Sequence, residues 1–265
     1  MLILFLCIAV CIFVPAFRHV RPGHELTYLA DILLGMALGG LGTRAVIGWR
    51  YIKLWGKLFR VWIRGQRLRI SFAALVRMSS GSHYLLVKSS RTQKWQPVGG
   101  VYRIYDNRVA ASIGLRDDSA MPTQEPPELR KEFAPENVFK AFSLLAWFES
   151  RKGRETSPHR EFHEELVLEG ILPELHFAQP EFEYVHFHRS ITYSVPHRCW
   201  ELKYFEVFEF KPNSEQGNVL AKLFQDRDQA PSYLFLTQSE IESGGYRSGN
   251  SQVLLGDQTK HLFLQ

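Results

Sequence analysis

The spacing of apolar positions along this chain changes three times, and each change marks a different kind of segment. Residues 1–17 (MLILFLCIAVCIFVPAF) carry no charge and have no polar face. Such a run predicts a helix that is apolar all round. At ~1.5 Å per residue it would reach about 26 Å, near the hydrocarbon thickness of a bilayer. It lacks the charged start and small-residue cleavage site of a signal peptide. A second apolar segment, about 26–49, follows a short polar turn that holds Pro22 and Gly23. Its charges, Asp31 and Arg44, lie where side chains can reach the interfaces. Gly35, Gly39, Gly40 and Gly42 give the small-residue spacing that lets helices approach in lipid. These parts predict a two-helix transmembrane hairpin over residues 1–49. One span followed by an interfacial helix is the alternative.

Over residues 50–69 the pattern becomes basic and helical. Lys53, Lys57, Arg60, Arg64 and Arg67 recur every three or four residues, which makes one stripe on a helix. Trp49, Trp55 and Trp62 are interleaved with it. Tryptophan and Lys/Arg beside a span predict an interface belt with anionic membrane lipids as partner. The membrane explains the stripe, so no nucleic acid polymer is expected. The excess of Lys and Arg after the second span places the N-terminus and the large C-terminal body in the cytoplasm, by the positive-inside bias.

Beyond residue 69 strands and helices alternate. Residues 70–78 and 83–88 read as strands joined by a turn at 79–82, and 182–187 and 200–210 as aromatic, β-branched strands. Residues 137–149 have helical periodicity in Val138, Phe142, Leu145 and Phe148. The expectation is an α/β (α+β) domain over residues 70–265, with an insertion near 101–155 whose proline-rich part, 121–135, is exposed.

Charge sharpens the division. From Asp106 onward there are 17 Lys and Arg against 25 Asp and Glu, a net of −8, although the whole chain is formally +5. A basic N-terminal third is therefore joined to an acidic body, and the overall pI of 9.1 does not indicate a nucleic-acid binder. Three cysteines, Cys7, Cys11 and Cys199, form neither a disulfide framework nor a metal-ligand spacing.

One segment carries chemistry: residues 156–170, TSPHREFHEELVLEG. Ser157 and Pro158 read as an N-cap and a first helical residue. At about 100° per residue, Glu161, Glu164 and Glu165 share one helical face while Phe162 and Leu166 share another. Three crowded carboxylates repel one another unless a hard cation such as Mg²⁺ or Mn²⁺ neutralises them. A solvated acidic face is the alternative on spacing alone. Arg160 can pair with Glu164 one turn on. His159, His163, His186, His188 and His197 cluster around the segment, read as surface or half-buried positions or as a second site. Trp95, Phe187, Trp200 and Tyr204 are candidates for base stacking or for the core.

R-E-F-H-E-E-L resembles the core of the Nudix box, R-E-U-x-E-E. Upstream, Trp95-Gln96-Pro97-Val98-Gly99-Gly100 is similar to the strand end that precedes that box, and residues 234–243 are similar to the strand, turn and helix that close the fold. The resemblance covers roughly residues 70–245 and implies a Nudix-like sandwich. It implies Glu161, Glu164 and Glu165 as metal and catalytic residues for Mg²⁺ or Mn²⁺, with Arg160 orienting them. Gly99 and Gly100 would admit phosphate to the backbone. The chain departs from the pattern at Lys152, where a glutamate is expected, and at Val167, where a glycine is expected. Binding is therefore favoured over turnover, and enzymatic activity is left open.

With its two N-terminal spans the chain resembles the two-span Nudix effectors of bacterial CBASS anti-phage systems, the SMODS-associated Nudix family. That resemblance implies a multi-pass protein of the bacterial inner membrane. Its cytosolic domain would sense a cyclic oligonucleotide made by a partner cyclic-nucleotide synthase. Binding would trigger membrane disruption and cell death, with self-association an open question. A membrane-tethered, Mg²⁺-dependent pyrophosphohydrolase of nucleoside diphosphate derivatives is the second reading, and a membrane scaffold the third.

Overall fold

The computed structural model describes residues 53–119, 127–229, 231–245 and 252–263. The expected hairpin, with Cys7, Cys11 and Trp49, lies outside the described residues. Among those described, no helix is long and apolar enough to cross a membrane. The chain divides into two compact units, Met1–Gly56 and Lys57–Gln265. The second holds the α+β body.

Residues 53–63 form helix α1. Leu58 and Val61, one turn apart, are fully buried. Lys57 donates to the Ile191 carbonyl at 3.0 Å. Arg67, the last residue of the expected basic stripe, lies beyond the helix and is committed elsewhere. It forms an ion pair with Glu132 at 2.5 Å and also donates to Ser119 and to the His197 carbonyl. The stripe on the helix therefore stops at Arg60, with Arg64 in the turn that follows.

The body packs two sheets. The first has the order β5 (Arg116–Asp117), β6 (Arg130–Phe133), β1 (Leu68–Arg77), β8 (Cys199–Lys211), β7 (Glu181–Ser194). Strands β1 and β8 run parallel in register from Leu68 with Trp200 to Arg77 with Glu209. Both are buried along most of their length, as their near-continuous apolar runs require of central strands. In the second sheet, β3 (His83–Lys88) pairs antiparallel with β2 (Ser79–Ser80), β4 (Trp95–Gln96) and β9 (Tyr233–Thr237). Residues 79–82 thus make the expected turn into β3, but β1 belongs to the other sheet. The chain changes sheet at Met78, which is buried.

Of the segment expected as an exposed insertion, residues 121–126 lie outside the described residues, and the rest is built into the fold. Its strand β6 pairs with β1 from Leu68–Phe133 to Ser71–Arg130, and Leu129 and Phe133 are fully buried. Helix α2 (Asn107–Ile113) starts on the Asp106 side chain and ends at Gly114. A 3-10 turn, Pro135–Lys140, runs into α3 (Ala141–Glu149), which buries Leu144, Leu145 and Phe148.

Two buried ion pairs join the insertion to β8 and β1. Arg154 stacks on Phe148 with its guanidinium carbon 3.6 Å from the ring centre, and its guanidinium reaches Glu206 at 3.3 Å. Glu206 also accepts from the Tyr102 hydroxyl at 2.5 Å. Arg69 bridges Glu201 and Asp118, all three buried. Desolvated charges like these must find partners.

Residues 252–263 cross both sheets. Gly256 N–H donates to the Trp95 carbonyl at 2.8 Å, and His261 stacks on His188 of β7 with ring centres 3.8 Å apart. Burial holds His261 down to about 4 and lowers His188 as well.

An Arg154→Met variant should be destabilised by about 3–5 kcal/mol in urea unfolding, because Glu206 is then left buried without its main partner. Adding Glu206→Gln should return part of that loss.

Candidate functional site

The acidic segment begins one residue later than expected. Helix α4 is His159–Phe162, with Pro158 at the N-cap position; Ser157 Oγ accepts from the His159 N–H at 3.3 Å. The helix then widens into one π-turn, His163–Val167, closed by the Leu168 N–H on the His163 carbonyl at 2.9 Å. Such turns insert a residue into the helical ladder and re-aim the side chains they carry. The apolar face is the expected one. Phe162 and Leu166 are fully buried in the cluster that holds Val76, Val98, Phe177, Phe210 and Phe235. Phe162 stacks on Phe210 at 5.4 Å. The chain reverses at Gly170 (φ +71°), three residues past the position where the family pattern has its glycine.

With that face anchored, the carboxylates of Glu161 and Glu165 turn toward the Gly99–Gly100 strand end, while Glu164 faces Arg160 and Arg103. Gly99 N–H donates to Glu165 Oε2 at 3.0 Å. Gly100 lies so close to Glu161 that a Cβ there would stand 2.1 Å from the carboxylate oxygen. Glu164 is the outermost, with 43% of its side chain exposed against 14% for Glu161. The expected glycine pair is therefore brought against Glu161 and Glu165, across about sixty residues of chain, and Glu164 stays outside that contact.

Arg160 sits in the middle. Its Nη1 is 2.6 Å from Glu161 and 3.1 Å from Glu164. Its Nη2 donates to the Val101 carbonyl at 2.9 Å, and Nε and Nη2 both reach Glu155, at 3.1 and 2.9 Å. Glu155 was not expected. The pattern calls for an acid at Lys152, and the acid stands three residues nearer, where the buried Arg154 holds the adjoining backbone. Pairing of Glu155 with Arg160 over five residues is the signal that spacing by family template passes over.

Burial pushes the Glu165 carboxyl up to about 7; the Gly99 N–H opposes this, and the charges of Glu161 and Glu164 add to it. Burial also raises Glu161, against the attraction of Arg160. Hydrogen bonding and charge from Glu155 and Glu161 outweigh burial and hold Arg160 in its charged form. A cleft of about 380 Å³ opens beside this helix, bordered by His159, Arg160, His163, Glu164, Leu168 and Pro180.

The donors suit a hard divalent cation in kind, being carboxylate oxygens with more negative charge than burial tolerates. In arrangement they are held apart. Among the described residues no three His, Cys, Asp or Glu are grouped to hold a metal ion. Arg160 lies between Glu161 and Glu164, and Glu165 turns to Gly99. A cation would take Glu161 and Glu164 from Arg160, which keeps Glu155 as its partner.

The other candidates fall outside this group. His159 is bonded to the Pro180 carbonyl at 2.9 Å, and His186 and His188 belong with His261. The His197 carbonyl accepts from Arg67. Tyr204 is buried against Phe72 and Phe148 in the core, and Phe187 stacks on it at 5.0 Å. Trp200 packs on Tyr193, and Trp95 is half-buried in β4.

The model of the SMODS-associated NUDIX domain matches residues 67–263. The chain belongs to that family, and its body is a Nudix-type α+β domain. Nudix proteins generally use divalent metal ions. Among solved structures, the chain is similar to a Nudix hydrolase from M. smegmatis, RenU, at 11% identity over 75% of this chain and 83% of that one, with a TM-score of 0.25. A likeness that slight carries no argument. None of the curated proteins compared matches the chain.

The two glycines should respond differently to alanine. At Gly99 (φ +148°) a Cβ would meet the Ala74 backbone oxygen at 2.1 Å, so Gly99→Ala should unfold the domain or lower its Tm by about 4–12 °C, on the order of a loss of 2–3 kcal/mol. At Gly100 the obstacle is the movable Glu161 side chain, so Gly100→Ala should keep the fold and shift the carboxylate; thermal melts and Mn²⁺ titration of both variants check this. A second expectation concerns pH. Glu165 has a folded-state pKa of about 7 against an ordinary 4.5, so its contribution favours the fold fully below pH 4.5 and is lost as pH rises through 7. Stability should fall across that window by at most about 1.4 kcal/mol per pH unit. In Glu165→Gln that part of the pH dependence should disappear from denaturant titrations.

Proposed function

We propose that this chain is a membrane-anchored effector of a CBASS-type system, whose Nudix domain binds a cyclic oligonucleotide and passes that event to the N-terminal segment. The observation that carries the reading is the lock on the motif. All three glutamates are present, Glu161 and Glu165 against Gly100 and Gly99, yet Arg160 joins Glu161 and Glu164 to Glu155. The departures at Lys152 and Val167 point the same way, toward recognition and away from turnover. Membership in the SMODS-associated family supports a nucleotide messenger as the ligand.

In this reading Glu161, Glu164 and Glu165 would hold Mg²⁺ or Mn²⁺, which supplies a positive charge for phosphate oxygens when bound. The protein's own part is to keep these carboxylates buried and oriented, and to hold Arg160 charged beside them. A ligand shifts a conformational equilibrium only if it binds one state more tightly than the other. Release of Arg160 from Glu161 and Glu164 is a local change with that property. The uncharged run at residues 1–17, the glycines Gly35, Gly39 and Gly40, and the basic stripe of Lys53, Lys57, Arg60 and Arg64 support placement at an anionic inner membrane, with helix packing as the element that responds. Partnership with a cyclic-nucleotide synthase follows from the same reading.

Hydrolysis is the second reading, and one observation favours it: Glu165, pushed up to about 7, is suited to accept a proton near neutral pH.

Expression of the full chain in bacteria together with an inducible cyclic-nucleotide synthase tests the proposal. Dye uptake through the inner membrane should rise after induction, and Glu164→Gln should abolish the rise. Unchanged permeability at saturating messenger sinks the effector reading. Mg²⁺-dependent release of phosphate or nucleoside monophosphate from a nucleoside diphosphate derivative, lost in Glu165→Gln, would establish the hydrolase instead.

A further inference from the structure

Arg103 stands at the edge of this site with donors to spare. A guanidinium has five N–H groups and no acceptor. Around the site the arginines are saturated: Arg160 is bonded at Nε, Nη1 and Nη2, and Arg154 likewise. Arg103 makes one side-chain contact, from Nη2 to Glu164 Oε1 at 3.5 Å. Its Nε is shielded from water and has no hydrogen-bond partner. Native structures rarely leave a buried donor unmade, and such a donor calls for an explanation.

The root of this side chain is firmly held. Arg103 N–H donates to Glu155 Oε2 at 3.0 Å, and Glu155 N–H donates to the Arg103 carbonyl at 2.9 Å. The same Glu155 oxygen receives Arg160. Arg103 is thus positioned by the group that fixes the lock, while its guanidinium is weakly committed and 31% exposed. Its one carboxylate, Glu164, is the outermost of the triad and would be drawn away by a cation.

We infer that Arg103 grips a phosphate of the ligand, taking it through two parallel N–H contacts beside the cation-binding carboxylates. This rests on the ligand-binding reading above. A planar fork with unmet donors next to Glu164 matches a phosphate oxygen pair in shape and charge. The ligand class is therefore one that offers a phosphate with two free oxygens, as both a nucleoside diphosphate and a cyclic oligonucleotide do. The exposed pair with Glu164, long and single, is too weak to be the whole reason for an arginine here.

The experiment uses the full-length chain. Mn²⁺ binding is followed by loss of the free-ion EPR signal. ADP and cyclic di-AMP are each titrated calorimetrically in the presence of Mn²⁺. Arg103→Ala should weaken binding of the nucleotide that the wild type takes by about tenfold or more, with Arg103→Lys in between. Mn²⁺ affinity should stay the same or rise, since one positive charge leaves the carboxylates. Arg103→Gln, which keeps length and loses charge, gives the same comparison if alanine disturbs folding. Variants that bind the nucleotide as tightly as the wild type overturn the inference and leave the ligand-binding reading standing. So do variants whose Mn²⁺ affinity, nucleotide affinity and Tm all fall together, which is the mark of a structural role. A wild type that binds Mn²⁺ and neither nucleotide overturns the ligand-binding reading, and the inference with it.

Discussion

The contact on which this site depends is the guanidinium of Arg160 among Glu155, Glu161 and Glu164. Without it, Glu155, Glu161 and Glu164 would repel one another in a half-buried recess. A single fixed cation with five donors resolves that conflict and sets the direction of each acid. The surrounding elements are arranged to hold it. Phe162 and Leu166 anchor the helix from below, the strand end at Gly99–Gly100 closes it from the side, and the segment carrying Glu155 comes in from the insertion.

That last link gives the insertion a purpose beyond bulk. Residues 128–155 join the first sheet through β6, seal it with α3, and end in the buried pair of Arg154 with Glu206. Arg154 fixes the backbone next to Glu155, and Glu155 then orders both Arg160 and the root of Arg103. A chain of buried charges thus runs from the centre of β8 to the rim of the site. Its links are ion pairs, Arg154 with Glu206 and Arg160 with Glu155, and hydrogen bonds to backbone, and buried pairs of this kind are unforgiving of single losses. Where freedom remains is at Glu164 and Arg103, which meet only at 3.5 Å, and that is where a ligand has something to change.

Much of the body was legible because local rules governed it. The strand over His83–Lys88, the long aromatic strands and the apolar face of the motif helix all follow from period and residue type. The Gly-Gly end and the glutamate spacing were legible through family resemblance. Other features were not, for identifiable reasons. The proline-rich stretch read as exposed because its composition is polar, while two apolar residues, Leu129 and Phe133, decide its burial. The first two strands read as one hairpin because the turn between them is real; their division between sheets depends on partners, β8 and β9, more than a hundred residues away.

By itself the sequence determined which side chains share a helical face, that three acids and an arginine crowd six consecutive residues, and that a basic, apolar N-terminal third precedes an acidic body. Those are properties of spacing and charge, and spacing acts within a few residues. Only the tertiary structure decided that Glu155 replaces the acid expected at Lys152, that Gly100 lies against Glu161, and that Arg103 is left with unmet donors. These are contacts between segments brought together by the packing of two sheets. A carboxylate and a guanidinium pair according to distance through space, and distance along the chain does not record it.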